Sequence, residues 1–313
     1  MNPVVHVLLA TYNGAAHLAE QWASLEMQQG VDIVLHVGDD GSSDDTVAIA
    51  ERLASARSGA VKEVVWLRGP RRGSATRNFL SLLAAAVRER PEAKWFSYCD
   101  QDDIWLPGKL SAAIAALGSA DAAQPMLYGG RTLIVDEDGR ERHLSRLFQH
   151  APCFANALVQ NIMGGNTMLM NRAAAELVAG SADAEVVTHD WLTYQLVSGA
   201  GGHVYYDSRA YLRYRQHENN EIGSNTGWPA LGARLWRMLM GDYRSWNARG
   251  VAALLQRRDV LTPANLATLE AFARAREGRN PFTRLRWLVR SGAFRRPWSQ
   301  HATLLAASVL RRI

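Results

Sequence analysis

The sequence predicts an α/β fold in which helices cover both faces of a mostly parallel sheet. Short, nearly continuous apolar runs are typical of parallel strands that are buried on both faces. Helical segments separate the first four of these runs at short spacing, which favours a doubly wound sheet. Polar residues follow three of the runs directly, at the edge where open α/β sheets bind their ligands.

The elements of the first half follow one another without long loops. They are, in order, a strand at 4–10, a helix at about 17–28, a strand at 31–37, a helix from about 44, a strand at 61–67, a helix at 74–90 and a strand that ends at Cys99. The third strand is interrupted by Lys62 and Glu63. A basic loop, 68–73, precedes the third helix, and Pro107 and Gly108 open an amphipathic segment.

After residue 118 the alternation is looser. We expect a strand at 126–135, a turn at 136–139, a glycine-containing loop at 160–168 that leads into a strand, a helix at 173–179, a helix from 188 to about 197, a strand at 203–206 and a polar loop at 214–220. From Trp228 onward the pattern is helical and rich in Arg and Trp. The expected domains are therefore 1–227 and a helical C-terminal extension, 228–313.

The charge is distributed unevenly along the chain. The net charge is +5 over 313 residues, but residues 231–313 hold sixteen arginines and four acids, so the first 230 residues are net acidic. Such a basic region predicts a polyanionic neighbour, and an anionic membrane surface is the favoured one because no nucleic-acid-binding module is evident. Whether this region lies on a membrane or caps the fold is left open.

The composition and the cysteine content indicate the cellular compartment in which the protein is expected. A hydrophobic content of 48% indicates a folded globular protein, and two cysteines, Cys99 and Cys153, provide no disulfide framework. We expect both to be free thiols in a reducing compartment. No signal sequence or membrane-spanning run is recognised, so the expected location is the cytoplasm, with possible attachment to the inner face of the cell membrane.

Three carboxylates follow the fourth strand within four residues, at Asp100, Asp102 and Asp103. Like charges this close repel unless a cation or a hydrogen-bond network compensates them. Carboxylate oxygens suit Mg²⁺ or Mn²⁺, and Mg²⁺ binds through one or two carboxylates together with substrate phosphates. The alternative is an acidic surface turn.

Four motifs in sequence order indicate a family. They are Thr11-Tyr12-Asn13 after the first strand, Asp39-Asp40-Gly41-Ser42-Ser43-Asp44 after the second, Asp100-Gln101-Asp102 after the fourth, and His189-Asp190-Trp191. Over residues 3–220 the chain resembles a family 2 glycosyltransferase of GT-A fold. The stretches 100–105 and 214–217 are similar to those of bacterial rhamnosyltransferases.

The resemblance implies a role for each matching residue. It assigns nucleotide and donor binding to Thr11, Tyr12, Asn13, Asp39, Asp40, Arg77, Asp100, Gln101, Gly165, Asn166, Trp191 and Arg215. It assigns a Mg²⁺ or Mn²⁺ ion to Asp100, Asp102 and His217, while Asp103 is expected to hold the loop. The alternatives are an ordinary turn at Thr11 and Asn13, helix capping at Asp39 and Asp40, a structural histidine at His217 and a core tryptophan at Trp191.

Asp190 resembles the catalytic base of inverting family members. One carboxylate placed opposite the leaving group can take the proton of an acceptor hydroxyl. The alternative is a carboxylate that stabilises a helix N-terminus, in which case Asp183 or Glu185 is the next candidate for the base.

The sequence therefore predicts an inverting, metal-dependent glycosyltransferase. The expected donor is dTDP-L-rhamnose, and the expected acceptor is a hydroxyl of a bacterial surface glycan that a lipid carrier could hold. The alternatives are another UDP- or GDP-linked sugar, a nucleotidyltransferase, and a non-catalytic module that binds nucleotide sugars. A nucleotidyltransferase is expected to have a Gly-rich, Lys-containing phosphate loop after the first strand. The Ala10–Gly14 stretch contains no such loop. The oligomeric state is left open.

Overall fold

The computed structural model describes residues 2–69, 71–118, 123–216 and 242–313. The chain divides into two compact units. The first unit comprises Met1–Ala151, Met163–Asp183 and Gly202–His217, and the second comprises Pro152–Ile162, Ala184–Gly201 and Glu218–Ile313. The predicted boundary at 227/228 lies outside the described residues.

One sheet in the first unit contains the nine strands of the described residues. They are β1 (Val4–Thr11), β2 (Asp32–Asp39), β3 (Val61–Trp66), β4 (Trp95–Cys99), β5 (Ile104–Trp105), β6 (Met126–Val135), β7 (Glu141–Leu144), β8 (Leu169–Asn171) and β9 (His203–Arg215). The order is β3-β2-β1-β4-β8-β6-β9-β5, and β7 pairs with β6. The α/β fold predicted from the sequence is confirmed.

The two halves of the sheet differ in strand direction. The pairs among β1 to β4 are all parallel, as the buried apolar runs predict. In the second half β8 is antiparallel to β4 and β6, and β5 and β7 are also antiparallel to their partners. The prediction of a mostly parallel sheet therefore holds for residues 4–99. It is wrong for the second half, where the described strands form one parallel pair, β6 with β9, and the other pairs are antiparallel.

Helices cover both faces of this sheet. The helices of the first unit are α1 (Leu18–Glu26), α2 (Thr46–Ala56), α3 (Ala75–Glu89), α4 (Lys109–Leu117) and α6 (Arg172–Ala179). Val5, Val7 and Leu9 of β1 share one core with α1, α2 and α4. On the opposite face α3 packs Phe79 against Tyr98, with ring centroids 5.5 Å apart. Alternate residues of one strand thus enter two cores, as a strand covered on both faces requires.

Hydrogen-bonding side chains mark several helix starts. The Ser74 hydroxyl accepts from the Arg77 amide at α3, and the Asn171 side chain accepts from the Ala174 amide at α6. Such caps satisfy backbone donors that have no partner within the helix. At the start of α2, Asp44 accepts from the Thr46 amide.

The predicted elements agree with the structure except at three places. The strand expected at 203–206 continues to Arg215, since Tyr214 and Arg215 pair with Ile134 and Val135 instead of starting a loop. The sequence did not reveal β5 and β7, which are short and carry charged residues next to them. It also missed a single helical turn, α5 (Phe154–Ala157).

The second unit is helical. Besides α5 it contains α7 (His189–Gly199), α8 (Asp242–Gln256), α9 (Pro263–Glu277), α10 (Pro281–Ser291) and α11 (Trp298–Val309). The helical C-terminal region is confirmed for residues 242–313, while 228–241 lie outside the described residues. In the described chain Cys99 is a buried free thiol and Cys153 a half-buried one. No helix in the described ranges has both the length and the apolar character needed to cross a membrane.

Two buried histidines on the sheet predict an acid-sensitive stability. His6 Nδ1 and His36 Nε2 are 2.9 Å apart, and burial lowers the pKa of His6 to about 4 and that of His36 to about 3. Unfolding frees both imidazoles to bind protons below pH 6.5, so the free energy of unfolding falls as the pH drops. Between pH 7 and 5 we expect a loss of about 2 kcal/mol per imidazole.

Urea unfolding at a series of pH values measures this loss. The variant His36→Gln should lose about 2 kcal/mol less than the wild type between pH 7 and 5, because one imidazole fewer gains a proton on unfolding. A slope that stays the same in the variant would contradict the assignment.

Candidate functional site

The sheet register brings three predicted site residues to one edge. Thr11 at the end of β1 lies opposite Asp39 at the end of β2. On the other side of β1, Leu9 lies opposite Cys99, so that Asp100 emerges directly beside the end of β1. Neighbouring strands lie about 4.8 Å apart. Thr11, Asp39 and Asp100 therefore stand at the carboxyl ends of three adjacent parallel strands, as the sequence predicts.

Asp39 closes the turn that follows β2. Its Oδ1 accepts from the hydroxyls of Thr11, at 2.9 Å, and Ser42, at 2.5 Å. Its Oδ2 accepts from the backbone amides of Gly41, at 3.0 Å, and Ser42, at 2.8 Å. An ionised carboxylate offers about four acceptor positions, so all of them are occupied here.

Asp40 is buried and holds the basic loop that precedes α3. Its carboxylate accepts from the Gly73 amide, at 2.8 Å to Oδ2, and from the Arg72 amide. In the same loop the Arg71 guanidinium lies 4.9 Å from the ring centroid of Tyr12. The contact between this basic loop and the loop after β1 was not evident from the sequence, because Arg71 lies 59 positions after Tyr12 and no motif joins the two loops.

The loop after β1 is tied to the acidic loop after β4. Gln101 accepts from the Tyr12 amide at 2.9 Å and donates to the Tyr12 carbonyl at 3.0 Å. A Cβ on Gly14 would lie 2.1 Å from Gln101 Oε1, so a larger residue there would displace the Gln101 amide from its bonds to Tyr12. Asn13, with φ 49, accepts from the Ser43 amide at 2.8 Å. Three of the predicted motifs, those after β1, β2 and β4, thus form one hydrogen-bonded structure.

Within the acidic loop the carboxylates have different surroundings. Asp100 and Asp102 are half-buried, whereas Asp103 is 1% exposed. The Asn166 side chain donates to Asp103 Oδ2 at 2.6 Å. Burial, and then the charges of Asp100 and Asp102, raise the pKa of Asp103 well above its ordinary value. Asp103 therefore holds the loop, as expected, and Asn166 is buried as its partner; the direct contact of Asn166 with a donor stays a prediction.

Arg215 is a buried anchor of the same loop, with 4% exposure. Its Nη2 donates to Glu20 Oε2 at 2.5 Å and its Nε to the Asp102 carbonyl at 3.3 Å. Its Nη1 donates to the Glu137 carbonyl. These bonds fix the backbone that carries Asp102, which the sequence motif did not suggest. The predicted phosphate contact of Arg215 stays a prediction.

Lys109 places a second cationic side chain under the acidic loop. It is 2% exposed, and its Nζ lies 3.4 Å from the ring centroid of Trp105 and 3.5 Å from Ser97 Oγ. Burial lowers the pKa of Lys109 to about 7, against the charges of Cys99, Asp103 and Asp100, which raise it. The sequence gives no signal for this burial; in the structure Lys109 is the first residue of α4 and shares the buried face of that helix with Leu110 and Ala113.

Asp190 and Trp191 belong to the second unit. Asp190 is half-buried in the first turn of α7, and its Oδ1 accepts from the Trp191 amide at 2.7 Å. The Trp191 indole donates to the Ala157 carbonyl at 2.6 Å. Burial lowers the pKa of the neighbouring His189 to about 4, so this imidazole is neutral at pH 7. The roles of Asp190 as base and Trp191 as a donor contact stay predictions.

Three predicted residues remain. Arg77 is exposed in the first turn of α3. Gly165 is buried in the short 3₁₀ turn Gly165–Thr167, next to Asn166. His217, the third predicted metal ligand, lies outside the described residues.

The described part of the chain holds no group of three potential metal ligands in one place. What the acidic loop offers is a pair of half-buried carboxylates, Asp100 and Asp102, since Asp103 is buried and engaged with Asn166. Mg²⁺ commonly binds through one or two carboxylates and completes its shell with waters and substrate phosphates. This donor set fits a divalent cation that arrives with a diphosphate.

Comparison with known proteins decides the family. Residues 6–177, more than half of the chain, match the profile of Glycosyl transferase family 2. The chain belongs to glycosyl transferase family 2. The matched region contains most of β1, all of β2 to β8, the acidic loop and the Gly165–Thr167 turn.

Two relatives illustrate the similarity within family 2. The chain is 28% identical over 236 residues to a dTDP-rhamnosyl transferase, RfbG, of Shigella flexneri, covering 72% of this chain and 78% of that protein. It is 23% identical over 224 residues to an uncharacterised glycosyltransferase, RP339, of Rickettsia prowazekii, covering 69% of this chain and 65% of that protein.

Solved structures show the same fold. The crystal structure of residues 1–349 of TarS from S. aureus in complex with UDP-GlcNAc has a TM-score of 0.56 and 16% identity, covering all of this chain and 88% of that one. The complex of the same protein with UDP has a TM-score of 0.53 and 15% identity, again covering all of this chain and 88% of that one. The chain is therefore a glycosyltransferase of the GT-A fold, as the sequence predicts.

Proposed function

We propose that this family 2 glycosyltransferase is an inverting, metal-dependent enzyme that transfers L-rhamnose from dTDP-L-rhamnose to a hydroxyl of a bacterial surface glycan. The observation that carries the proposal is the meeting of Thr11, Asp39 and Asp100 at the carboxyl ends of three adjacent parallel strands. The similarity to a dTDP-rhamnosyl transferase supports this donor.

The nucleoside half of the donor binds at the ends of β1 and β2. Asp39 has no acceptor position to spare, so a base N–H or ribose hydroxyl that bonds to it replaces one of its present partners. The Ser42 hydroxyl is the partner that can rotate away without moving the backbone. The guanidinium of Arg71 on the Tyr12 ring adds a positive charge at this edge, where a diphosphate needs one.

Asp100 and Asp102 hold the divalent cation, Mg²⁺ or Mn²⁺, on the diphosphate side. When bound, the cation supplies positive charge to the departing diphosphate oxygens. Asn166 and Arg215 keep the loop in place, the first through Asp103 and the second through the Asp102 carbonyl. Because these anchors are buried, the two carboxylates are oriented before the donor binds.

Asp190 takes the proton of the acceptor hydroxyl. The acceptor oxygen forms a bond to the anomeric carbon while the bond from that carbon to the phosphate oxygen breaks. The nucleoside diphosphate leaves with the electron pair of that bond. A single displacement of this kind inverts the configuration at the anomeric carbon, and one carboxylate suffices for it.

The second candidate is a glycosyltransferase that uses a UDP- or GDP-linked sugar. TarS, which shares the fold, was crystallised with UDP-GlcNAc, and this favours keeping UDP-sugars in any test. A nucleotidyltransferase remains a weaker alternative, and so does a non-catalytic module. The acceptor we propose is a glycan on a lipid carrier, used from the cytoplasm at the inner face of the cell membrane.

A panel of nucleotide sugars tests the donor. The melting temperature is measured with dTDP-L-rhamnose, UDP-GlcNAc and GDP-mannose, each with Mg²⁺, and release of the nucleoside diphosphate is followed in parallel. A donor at about 100 times its Kd stabilises the native state by about 2.7 kcal/mol. We expect the largest rise with dTDP-L-rhamnose.

The other outcomes of the panel separate the alternatives. A larger rise with a UDP- or GDP-sugar would replace the proposed donor. Stabilisation without any release of nucleoside diphosphate, in the presence of a bacterial glycan extract, would indicate a binding module. No rise with any nucleotide sugar would contradict the proposed function.

A further inference from the structure

The second unit carries an exposed helix face that combines apolar and cationic side chains. On α10, Phe282 is 85% exposed and Val289 is 68% exposed, and Arg286 and Arg290 are exposed as well. These residues stand at positions i, i+4, i+7 and i+8, which lie on one side of a helix. We call Phe282, Arg286, Val289 and Arg290 the α10 face.

The opposite side of α10 is anchored in its own unit. Leu288 is buried, and the buried Arg284 donates to the carbonyls of Gly278, Ser308 and Val309. Asn280 caps the helix start by accepting from the Thr283 amide at 2.8 Å. These contacts hold α10 on its buried side. Phe282 and Val289 are therefore exposed on a helix whose orientation in its unit is fixed.

The charge of the segment that contains this face has one sign. Residues 278–313 contain no Asp or Glu, and their arginines are Arg279, Arg284, Arg286, Arg290, Arg295, Arg296, Arg311 and Arg312. Two further observations show aromatic and cationic side chains together in this region. The Trp287 ring has two guanidinium groups beside it, those of Arg274 at 4.8 Å and Arg290 at 5.5 Å from its centroid. Trp298, at the start of α11, is 66% exposed.

We propose that the α10 face binds an anionic lipid bilayer. An amphipathic surface with Phe and Val between arginines inserts its apolar side chains at the boundary of head groups and acyl chains, while the guanidinium groups bind lipid phosphates. Each cationic residue near an anionic bilayer contributes attraction that salt screens. A second copy of this chain fits less well, since the same uncompensated arginines would face each other.

The test uses the full chain and sedimentation with vesicles. One set is pure phosphatidylcholine and the other contains phosphatidylglycerol as about one-third of its lipid, at about 0.1 M salt, where the Debye length is about 10 Å. We expect binding to the anionic vesicles and a marked loss at higher salt. No binding to the anionic vesicles would overturn the proposal.

Paired variants localise the binding. Arg286→Gln with Arg290→Gln should weaken binding to anionic vesicles by about 30-fold. The matched control, Arg68→Gln with Arg88→Gln, removes the same charge from exposed positions of the first unit and should change binding by less than about threefold. Equal losses in the two pairs would mean a net-charge effect and would overturn the assignment to the α10 face.

The apolar contribution is tested separately. Phe282→Ser with Val289→Ser should weaken binding by about 10-fold and remove the part that resists salt, whereas Met27→Ser, at an exposed apolar position of the first unit, should not. The melting temperature should stay unchanged, since these side chains are exposed. A drop of several degrees, or a dimer in sedimentation velocity that the serine pair abolishes, would show that protein covers this face and would overturn the proposal.

Discussion

Asp190→Asn should lower turnover by about 10² to 10⁴ while leaving the protein folded, because a positioned base contributes about this factor. The substitution keeps the size of the side chain. It also keeps an oxygen that can accept from the Trp191 amide, as Asp190 Oδ1 does in the wild type. The melting temperature and the affinity for dTDP should therefore stay near their wild-type values. Steady-state kinetics with donor and acceptor measure the turnover, and titration of the protein with dTDP measures the affinity.

The matched controls are Asp183→Asn and Glu185→Gln, which neutralise exposed carboxylates a few residues before α7. We expect near-normal turnover in both. If Asp190→Asn turned over normally, Asp190 would only stabilise the start of α7, and a large loss in one of the controls would identify the base there. An equal loss of donor affinity and turnover in Asp190→Asn would mean that this residue holds the substrate.

Removal of the divalent cation should abolish transfer, and Asp102→Asn should reduce it by about 100-fold or more. A cation on the diphosphate is worth several kcal/mol of charge stabilisation in the transition state, and each 1.36 kcal/mol changes the rate by about tenfold. Wild-type activity is measured with EDTA and then with added Mg²⁺ or Mn²⁺. Binding of dTDP to Asp102→Asn should no longer depend on the cation.

Asp138→Asn is the control for this variant, because Asp138 is an exposed carboxylate on a turn of the same unit, paired with Arg140. Its activity and its response to EDTA should equal those of the wild type. Full turnover of the wild-type enzyme in EDTA would rule out the proposed cation site at Asp100 and Asp102.

The parts of the fold that the sequence predicts are those with strong local patterns. The runs at β1, β2 and β4 are continuously apolar and end in polar residues, so both the strands and their ligand-binding edge follow from the sequence. The strand at 126–135 agrees with β6 to the residue. By contrast, β5 has two residues and β7 is exposed throughout, so neither carries a periodic signal.

The contacts that hold the site could not be predicted, because they join residues far apart in the chain. The motif suggests that Asn166 and Arg215 touch the donor, yet the structure shows both side chains bonded to the acidic loop. Lys109 looks like an ordinary helix-start residue, and only the packing of α4 shows that it is buried beneath that loop. Sequence patterns report burial along one element, and side-chain partners across elements depend on packing.

We propose that the carboxyl ends of β1, β2 and β4 bind a nucleoside diphosphate and its cation. A crystal grown with dTDP and Mn²⁺ tests this site, because the anomalous scattering of manganese distinguishes the ion from water and from the lighter atoms of the protein. We expect a manganese peak at the carboxylate of Asp102, with the nucleoside beside Thr11 and Asp39. A fully occupied dTDP bound elsewhere, with no manganese at Asp100 or Asp102, would contradict it.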